Sequence, residues 1–187
     1  MLPVGWLVFA VVVAAFLSMW VTFTLTRLDR LHARVDAAGA ALDAQLVRRA
    51  AALLHAAEAP DSGLDPQLRI DCESVAKAAL NTADDSQRQA LENAVGRTLA
   101  DVAARGAGLR AEAVAELREG AARVQVARRF FNDAVRDTRS LRTRRMPRLL
   151  RLAGRRAMPE FFDIDDTIAV PALQHGTGSP DATEPDT

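Results

Sequence analysis

Cysteine is almost absent from this chain: Cys72 is the only one in 187 residues. A lone cysteine cannot form an intramolecular disulfide. It falls on the apolar face of an expected helix, where a free thiol behaves as a small hydrophobe, and no histidine stands in position to activate it. Tyrosine is missing and Lys77 is the only lysine, so arginine carries the positive charge. An Arg/Ala bias of this kind fits GC-rich coding, and arginine rather than lysine at any one site carries little weight. The three histidines, His32, His55 and His175, are far apart. A metal site borne on helices needs several convergent ligands, and only His32 and Asp36 form an i, i+4 pair. Glu112, Glu116 and Glu119 share a face without a Glu-x-x-His and read as a solvated stripe pairing with Arg123. Asp163, Asp165 and Asp166 lack the glycine and distal glutamate of a calcium loop. No glycine-rich phosphate loop is present. These absences lead to the expectation of a protein with no enzymatic activity of its own, no cofactor and no metal.

Charge is missing altogether from Leu2 to Leu25, and Arg27, Arg30 and Arg34 follow at once. As a helix the 24 apolar residues span roughly 36 Å, against about 30 Å of bilayer hydrocarbon. Ser18, Thr22 and Thr24 bring the only polar side-chain groups, and a helical hydroxyl can bond back to a carbonyl one turn earlier. Trp6 and Trp20 lie near the two ends, where indole prefers the interface. A cleaved signal peptide would need a basic n-region, a shorter apolar core and a small-x-small site, and none is visible. Residues 1–25 therefore read as an uncleaved transmembrane signal-anchor. Basic residues stay on the cytoplasmic side, which places the amino terminus outside and the rest of the chain in the cytoplasm, at the cell (inner) membrane. Ala10, Ala14 and Ser18 form a small-xxx-small stripe, a spacing that chance readily produces in so alanine-rich a chain.

Helical periodicity dominates the rest, and the fold class is all-α. Leu28, Leu31, Val35, Ala38, Leu42, Gln45/Leu46, Arg49 and Leu53 fall on one face of a helix from about Thr26 to Glu58. That helix is free to continue the anchor without a break, with Gly39 as a weak point. Ala59–Gly63, with Pro60 and Gly63, ends it. Asp65 caps a second helix that has Pro66 in its first turn and ends near Ala83; Leu68, Cys72, Val75 and Ala79 mark its face. A third, capped by Asp84, Asp85 or Ser86, carries Leu91, Val95, Leu99 and Val102 to about Ala104. A fourth runs from about Leu109 to Arg145 with Val114, Leu117, Ala121, Val124, Arg128, Phe131, Val135 and Thr138 along its seam, and Met146-Pro147 stops it. Two long and two short helices with short connections make an antiparallel up-down bundle of about four helices over residues 26–163. Residues 164–187, acidic and interrupted by Pro171, Pro180 and Pro185, read as a disordered tail.

Between Arg136 and Arg156 stand nine arginines and one acid, Asp137; from Ala157 onward there are seven acids and no Lys or Arg. In an up-down bundle the fourth helix returns toward the membrane, which brings segment 136–156 to the anionic cytoplasmic leaflet. Arg142, Arg144, Arg145, Arg148, Arg151, Arg155 and Arg156, with Leu149, Leu150 and Leu152 interleaved, then suit an interfacial amphipathic segment. The plainer reading is a basic helix end facing its own dipole. The patch has no aromatic of its own for stacking on bases, so nucleic acid is not an expected partner.

Two segments carry a resemblance. Arg34-Val-Asp-Ala-Ala-Gly-Ala-Ala-Leu-Asp-Ala-Gln-Leu-Val-Arg-Arg49 follows the anchor directly, and Val126-Ala-Arg-Arg-Phe-Phe-Asn-Asp-Ala-Val-Arg-Asp137 lies on the last helix. Together with Pro159, Phe161 and Phe162 they resemble the LemA family over roughly residues 3–163. The resemblance implies an amino-terminal transmembrane helix followed by an antiparallel helical domain. The chain departs from the family pattern at Gly39, where an aromatic is usual, at Ala51–Ala57, at Ala104-Arg105-Gly106, at Phe131 in place of tyrosine, and at Thr138-Arg139. It reads as a divergent member. Gln45, Arg49, Arg128 and Asn132 lie on or beside the seams, where a hydrogen-bonded network would fix register or the side chains would simply border the core. The function expected is that of a membrane-anchored helical scaffold or interaction protein. Its partners are the lipid bilayer, an unidentified protein and a second copy in a homo-oligomer. The alternative is an accessory or sensor of an envelope stress or proteolysis system.

Overall fold

A computed structural model describes residues 4–82, 85–106, 108–143 and 157–165. Among these residues the chain is helical with no strand: α1 (Val4–Glu58), α2 (Pro66–Asn81), α3 (Asp85–Arg105) and α4 (Ala111–Arg142). The expected bounds agree to within about three residues. Anchor and first soluble helix are a single 55-residue helix, so Gly39 does not interrupt it. The expected stop at Met146-Pro147 lies outside the described residues; α4 ends at Arg142.

Local chemistry accounts for the ends. The Asp65 Oδ1 accepts the Leu68 N–H at 2.9 Å, and Pro66 occupies the first turn of α2, where no donor is needed. After α1 the Ser62 N–H donates to the Ala59 carbonyl, and Gly63 turns the chain with φ of 66°. A Cβ on Gly63 would collide with the backbone of Gly108, so both a left-handed conformation and a close chain approach require glycine there.

The chain divides into two compact units, Met1–Ala40 with Phe130–Phe161 and Ala41–Arg129 with Phe162–Thr187. In the first, α1 and α4 run in opposite directions: Gly39 faces Phe131, Arg34 pairs with Asp137 at 3.0 Å, and the Thr138 hydroxyl reaches the Leu31 carbonyl. Val35, Ala134 and Val135 are buried between them, with Ala38 and Phe131 at the edge. The Phe131 ring from α4 lies directly against Gly39.

The second unit holds the larger core. Ala50, Leu53, Ala56 and Ala57 of α1 pack with Leu68, Cys72, Ala76 and Ala79 of α2, Val95, Leu99 and Val102 of α3, and Leu117 of α4. Six of its buried positions are alanine (50, 52, 56, 57, 76 and 79), so the helices approach closely and a few leucines carry most of the apolar burial. Lys77 ties the end of α1 to α2 through Glu58 at 3.2 Å and Glu73 at 3.1 Å. Hydrogen bonds from its ammonium to Glu73 and then Glu58 raise its pKa.

One expectation is corrected. Ile164 and Asp165, placed by composition at the start of a disordered tail, are docked in the second unit. Ile164 is 4 % exposed, and the Asp165 N–H donates to Asn93 Oδ1 at 2.8 Å. A branched aliphatic in an acidic run has one apolar side chain to bury, and the hydrogen bond to α3 fixes the backbone beside it. The rest of the tail, 166–187, lies outside the described residues.

The glycines give opposite expectations. A Cβ at Gly39 would lie 3.5 Å from Phe131, in ordinary contact. Gly39→Ala should therefore stabilise by about 0.5–1 kcal/mol through helix propensity. Gly63→Ala should destabilise by more than about 1 kcal/mol. Thermal unfolding of the full chain in detergent, followed by circular dichroism, should show the midpoint rising for the first and falling for the second.

Candidate functional site

Residues 4–19 set one feature apart. Every described side chain from Val4 to Met19 is exposed, including Trp6, Leu7, Phe9, Phe16 and Leu17. Burial begins at Trp20, and Thr24 and Leu28 are the first fully buried positions of α1. The helix is long and apolar enough to cross a membrane. Its hydroxyls are satisfied internally, as the sequence led one to expect: Ser18 donates to Ala14 O, Thr22 to Ser18 O and Thr24 to Trp20 O, each at 2.9 Å. Val4 to Leu25 spans roughly 33 Å as a helix, enough for the hydrocarbon layer.

The second feature is a buried ion cluster in the second unit. The Arg49 guanidinium on α1 donates through Nη2 to Glu92 Oε2 at 2.6 Å and to the Glu92 carbonyl at 3.1 Å. Arg49 is 2 % exposed and Glu92 1 %. Arg88, one turn earlier on α3, brings Nε to 3.4 Å from Glu92 Oε1, within ion-pair distance but without hydrogen-bond alignment, and it also pairs with Asp43 on α1. Two guanidiniums and two carboxylates thus balance. Gly120 of α4 lies over the Arg49 backbone: a Cβ there would stand 3.7 Å from the Arg49 Cα. Removing two charges from water costs several kcal/mol per ion, offset only by close pairing. The cluster is therefore a weak source of net stability and a strong source of register between α1 and α3.

The sequence-predicted residues are distributed unevenly. Arg49 is at the centre of this cluster, bonded to a partner on α3. Gln45 is half-buried one turn before it, and Arg128 and Asn132 on α4 are half-buried as well. Arg142 donates to the Ala157 carbonyl at 2.6 Å. Arg144, Arg145, Arg148, Arg151, Arg155 and Arg156 lie outside the described residues. His32 does not face Asp36: it is buried, its Nδ1–H donates to the Leu28 carbonyl at 2.9 Å, and its Nε2 has no hydrogen-bond partner. Arg123 pairs with Glu119, as expected of a solvated stripe.

Glu92, Arg88 and Asp43 were not singled out from sequence. A signal was present, since Glu92, Val95, Leu99 and Val102 follow a 3-4-3 spacing that puts a carboxylate on the apolar stripe of α3, opposite an arginine on the stripe of α1. A shallow cleft of about 90 Å³ is lined by His55, Asp61, Ser62, Arg110 and Glu116 among others. That volume is well short of the roughly 300 Å³ at which small-molecule sites begin. No family model, no curated protein and no solved structure matches the chain.

Cys72 is buried, and its thiol is pushed up to about 11, first by burial and then by the neighbouring Asp71 charge. A thiol held protonated in the fold makes a poor nucleophile. Where the unfolded thiol ionises and the folded one does not, the unfolded state binds fewer protons and stability falls as pH rises. Between pH 9 and about 11 the full chain should lose stability, and Cys72→Ala should flatten that decline in urea or thermal unfolding. Glu92→Ala should destabilise by about 3–5 kcal/mol because the buried Arg49 guanidinium loses its carboxylate. The double substitution Arg49→Met with Glu92→Leu should recover most of the loss. A double variant no more stable than the single would show that the pair contributes net stability of its own.

Proposed function

We propose that this chain is a single-pass membrane protein whose cytoplasmic helical domain acts as a scaffold or docking module at the membrane surface. The observation that carries this reading is the change of environment along one unbroken helix. Val4 to Met19 expose large apolar side chains on every face, and the continuation from Thr24 onward buries one stripe against protein. An apolar surface of that extent on a soluble monomer would drive association, whereas a bilayer covers it on all sides. The arginines at 27, 30 and 34 support an orientation with the amino terminus outside.

The helical domain is read as an antiparallel up-down bundle. The opposite-running pairs of α1 and α4 in the first unit support this. There Leu31 lies beside Thr138 and Arg34 beside Asp137, so one more turn in the same register brings Arg142 level with about Arg27. On this reading the described end of α4, at Arg142, faces the leaflet that the span enters, and the arginine-rich sequence follows it directly. Anionic headgroups would hold it, at roughly 1 kcal/mol for each basic residue near the surface. The Arg34–Arg49 and Val126–Asp137 segments support reading the chain as a divergent LemA-like protein.

Topology tests the reading directly. In a Cys72→Ala background carrying Ser179→Cys, an impermeant thiol reagent should label the protein only after the inner membrane is opened. Labelling in cells with an intact inner membrane would reverse the orientation and remove the leaflet argument. For the arginines, a fluorophore on a cysteine at Ala153 should report a less polar environment in anionic than in zwitterionic nanodiscs. Changing Arg148, Arg151, Arg155 and Arg156 together to Gln should abolish that difference, a loss of up to about 4 kcal/mol of surface attraction.

A further inference from the structure

The segment that follows Phe161 is not helical, yet it is fixed to α3 by backbone recognition. Its Asp165 N–H donates to the Asn93 side-chain carbonyl at 2.8 Å. A Cβ on Gly96 would stand 3.4 Å from the Asp165 carbonyl oxygen, so the segment's backbone lies directly on the glycine. Ile164 is buried, while Asp163 and Asp165 on either side of it stay exposed. Asn93, Gly96 and Ala100 follow one another at helical spacing on one face of α3, and Arg97, next to the glycine, is exposed. That face offers an acceptor for a backbone N–H, room for a backbone carbonyl, and a positive charge close by for acidic flanks, and the segment seated on it buries one branched aliphatic side chain.

None of these features depends on the segment being covalently attached. We infer that this face of α3 is a docking site for extended segments of the Phe-Asp-Ile-Asp type, an aliphatic residue between acids, and that Phe162–Asp165 is its occupant in cis. A peptide of that chemistry on a partner then binds only when the chain's own segment leaves. The proposal stands apart from the membrane reading, since every residue in it belongs to the second unit and orientation plays no part.

The test uses the full chain in detergent micelles and a fluorescein-labelled peptide, Phe-Phe-Asp-Ile-Asp-Asp. Two variants vacate the face: Ile164→Asp, and a chain ending after Phe161. Both should bind the peptide at least tenfold more tightly than the parent, and Asn93→Ala added to either should weaken binding at least tenfold. A peptide with Ile replaced by Asp should not bind. Equal binding to parent and vacated chains overturns the proposal, as does failure of both vacated chains to bind while retaining parental helicity. Chymotrypsin cleavage after Phe161 and Phe162 provides a measurement without displacement. Asn93→Ala in the otherwise intact chain should accelerate it about tenfold, and an unchanged rate overturns the proposal whatever the folding of the other variants.

Discussion

The pair formed by Arg49 and Glu92 is the constraint on which the second unit's order depends. At 2.6 Å and almost without solvent exposure, it admits one arrangement of α1 on α3. The surrounding core does not impose that by itself, since alanines at positions 50, 52, 56, 57, 76 and 79 present similar small surfaces. A helix can slide by a turn over an alanine-rich face and still bury methyl groups. It cannot slide by a turn and leave a guanidinium and a carboxylate unpaired, because each buried charge without a partner costs several kcal/mol. The neighbouring pair of Arg88 with Asp43 crosses between the same two helices and repeats the requirement nearer the surface.

The same helix that carries Arg49 also carries the apolar span, and its two parts present different surfaces. Its first part presents leucine, valine and phenylalanine on all faces, the pattern of a helix surrounded by hydrocarbon. Its second part keeps only the stripe through Leu28, Val35, Leu42, Leu46 and Leu53 and surrenders the other faces to charge. Backbone hydrogen bonds run through the junction without interruption, and side-chain hydroxyls in the span fold back on carbonyls of the previous turn. The hydroxyls of Ser18, Thr22 and Thr24 are therefore not left to be satisfied by lipid.

Irregular segments do specific work in this fold. Gly63 and Gly108 let two connections cross where no side chain would fit. Arg139 donates to the Pro159 carbonyl at 3.1 Å and lies over the Phe161 ring at 5.3 Å. Within the second unit Asn93 and Gly96 receive the backbone of Asp165. The planar guanidinium fork lets one side chain both donate to a carbonyl and lie over an aromatic ring.

The sequence by itself determined the helices, their ends and their buried faces. The 3-4 spacing picked out Leu28, Val35, Leu42, Arg49 and Leu53 on α1 and Leu117, Ala121, Val124, Val135 and Thr138 on α4, and all of these are buried. Periodicity and capping are local, so the chain states them residue by residue: Asp65-Pro66 starts a helix wherever it occurs. Pairing is not local. Arg49 was legible as a polar group on a seam, but its partner Glu92 lies 43 residues away on α3, and only the tertiary structure brought the two together. Ile164 was read with its acidic neighbours as tail, because composition averages over a window and cannot register the burial of one aliphatic side chain. The sequence specified which surfaces needed covering. Which partner covers each was decided in three dimensions, where charge, size and reach are compared at once.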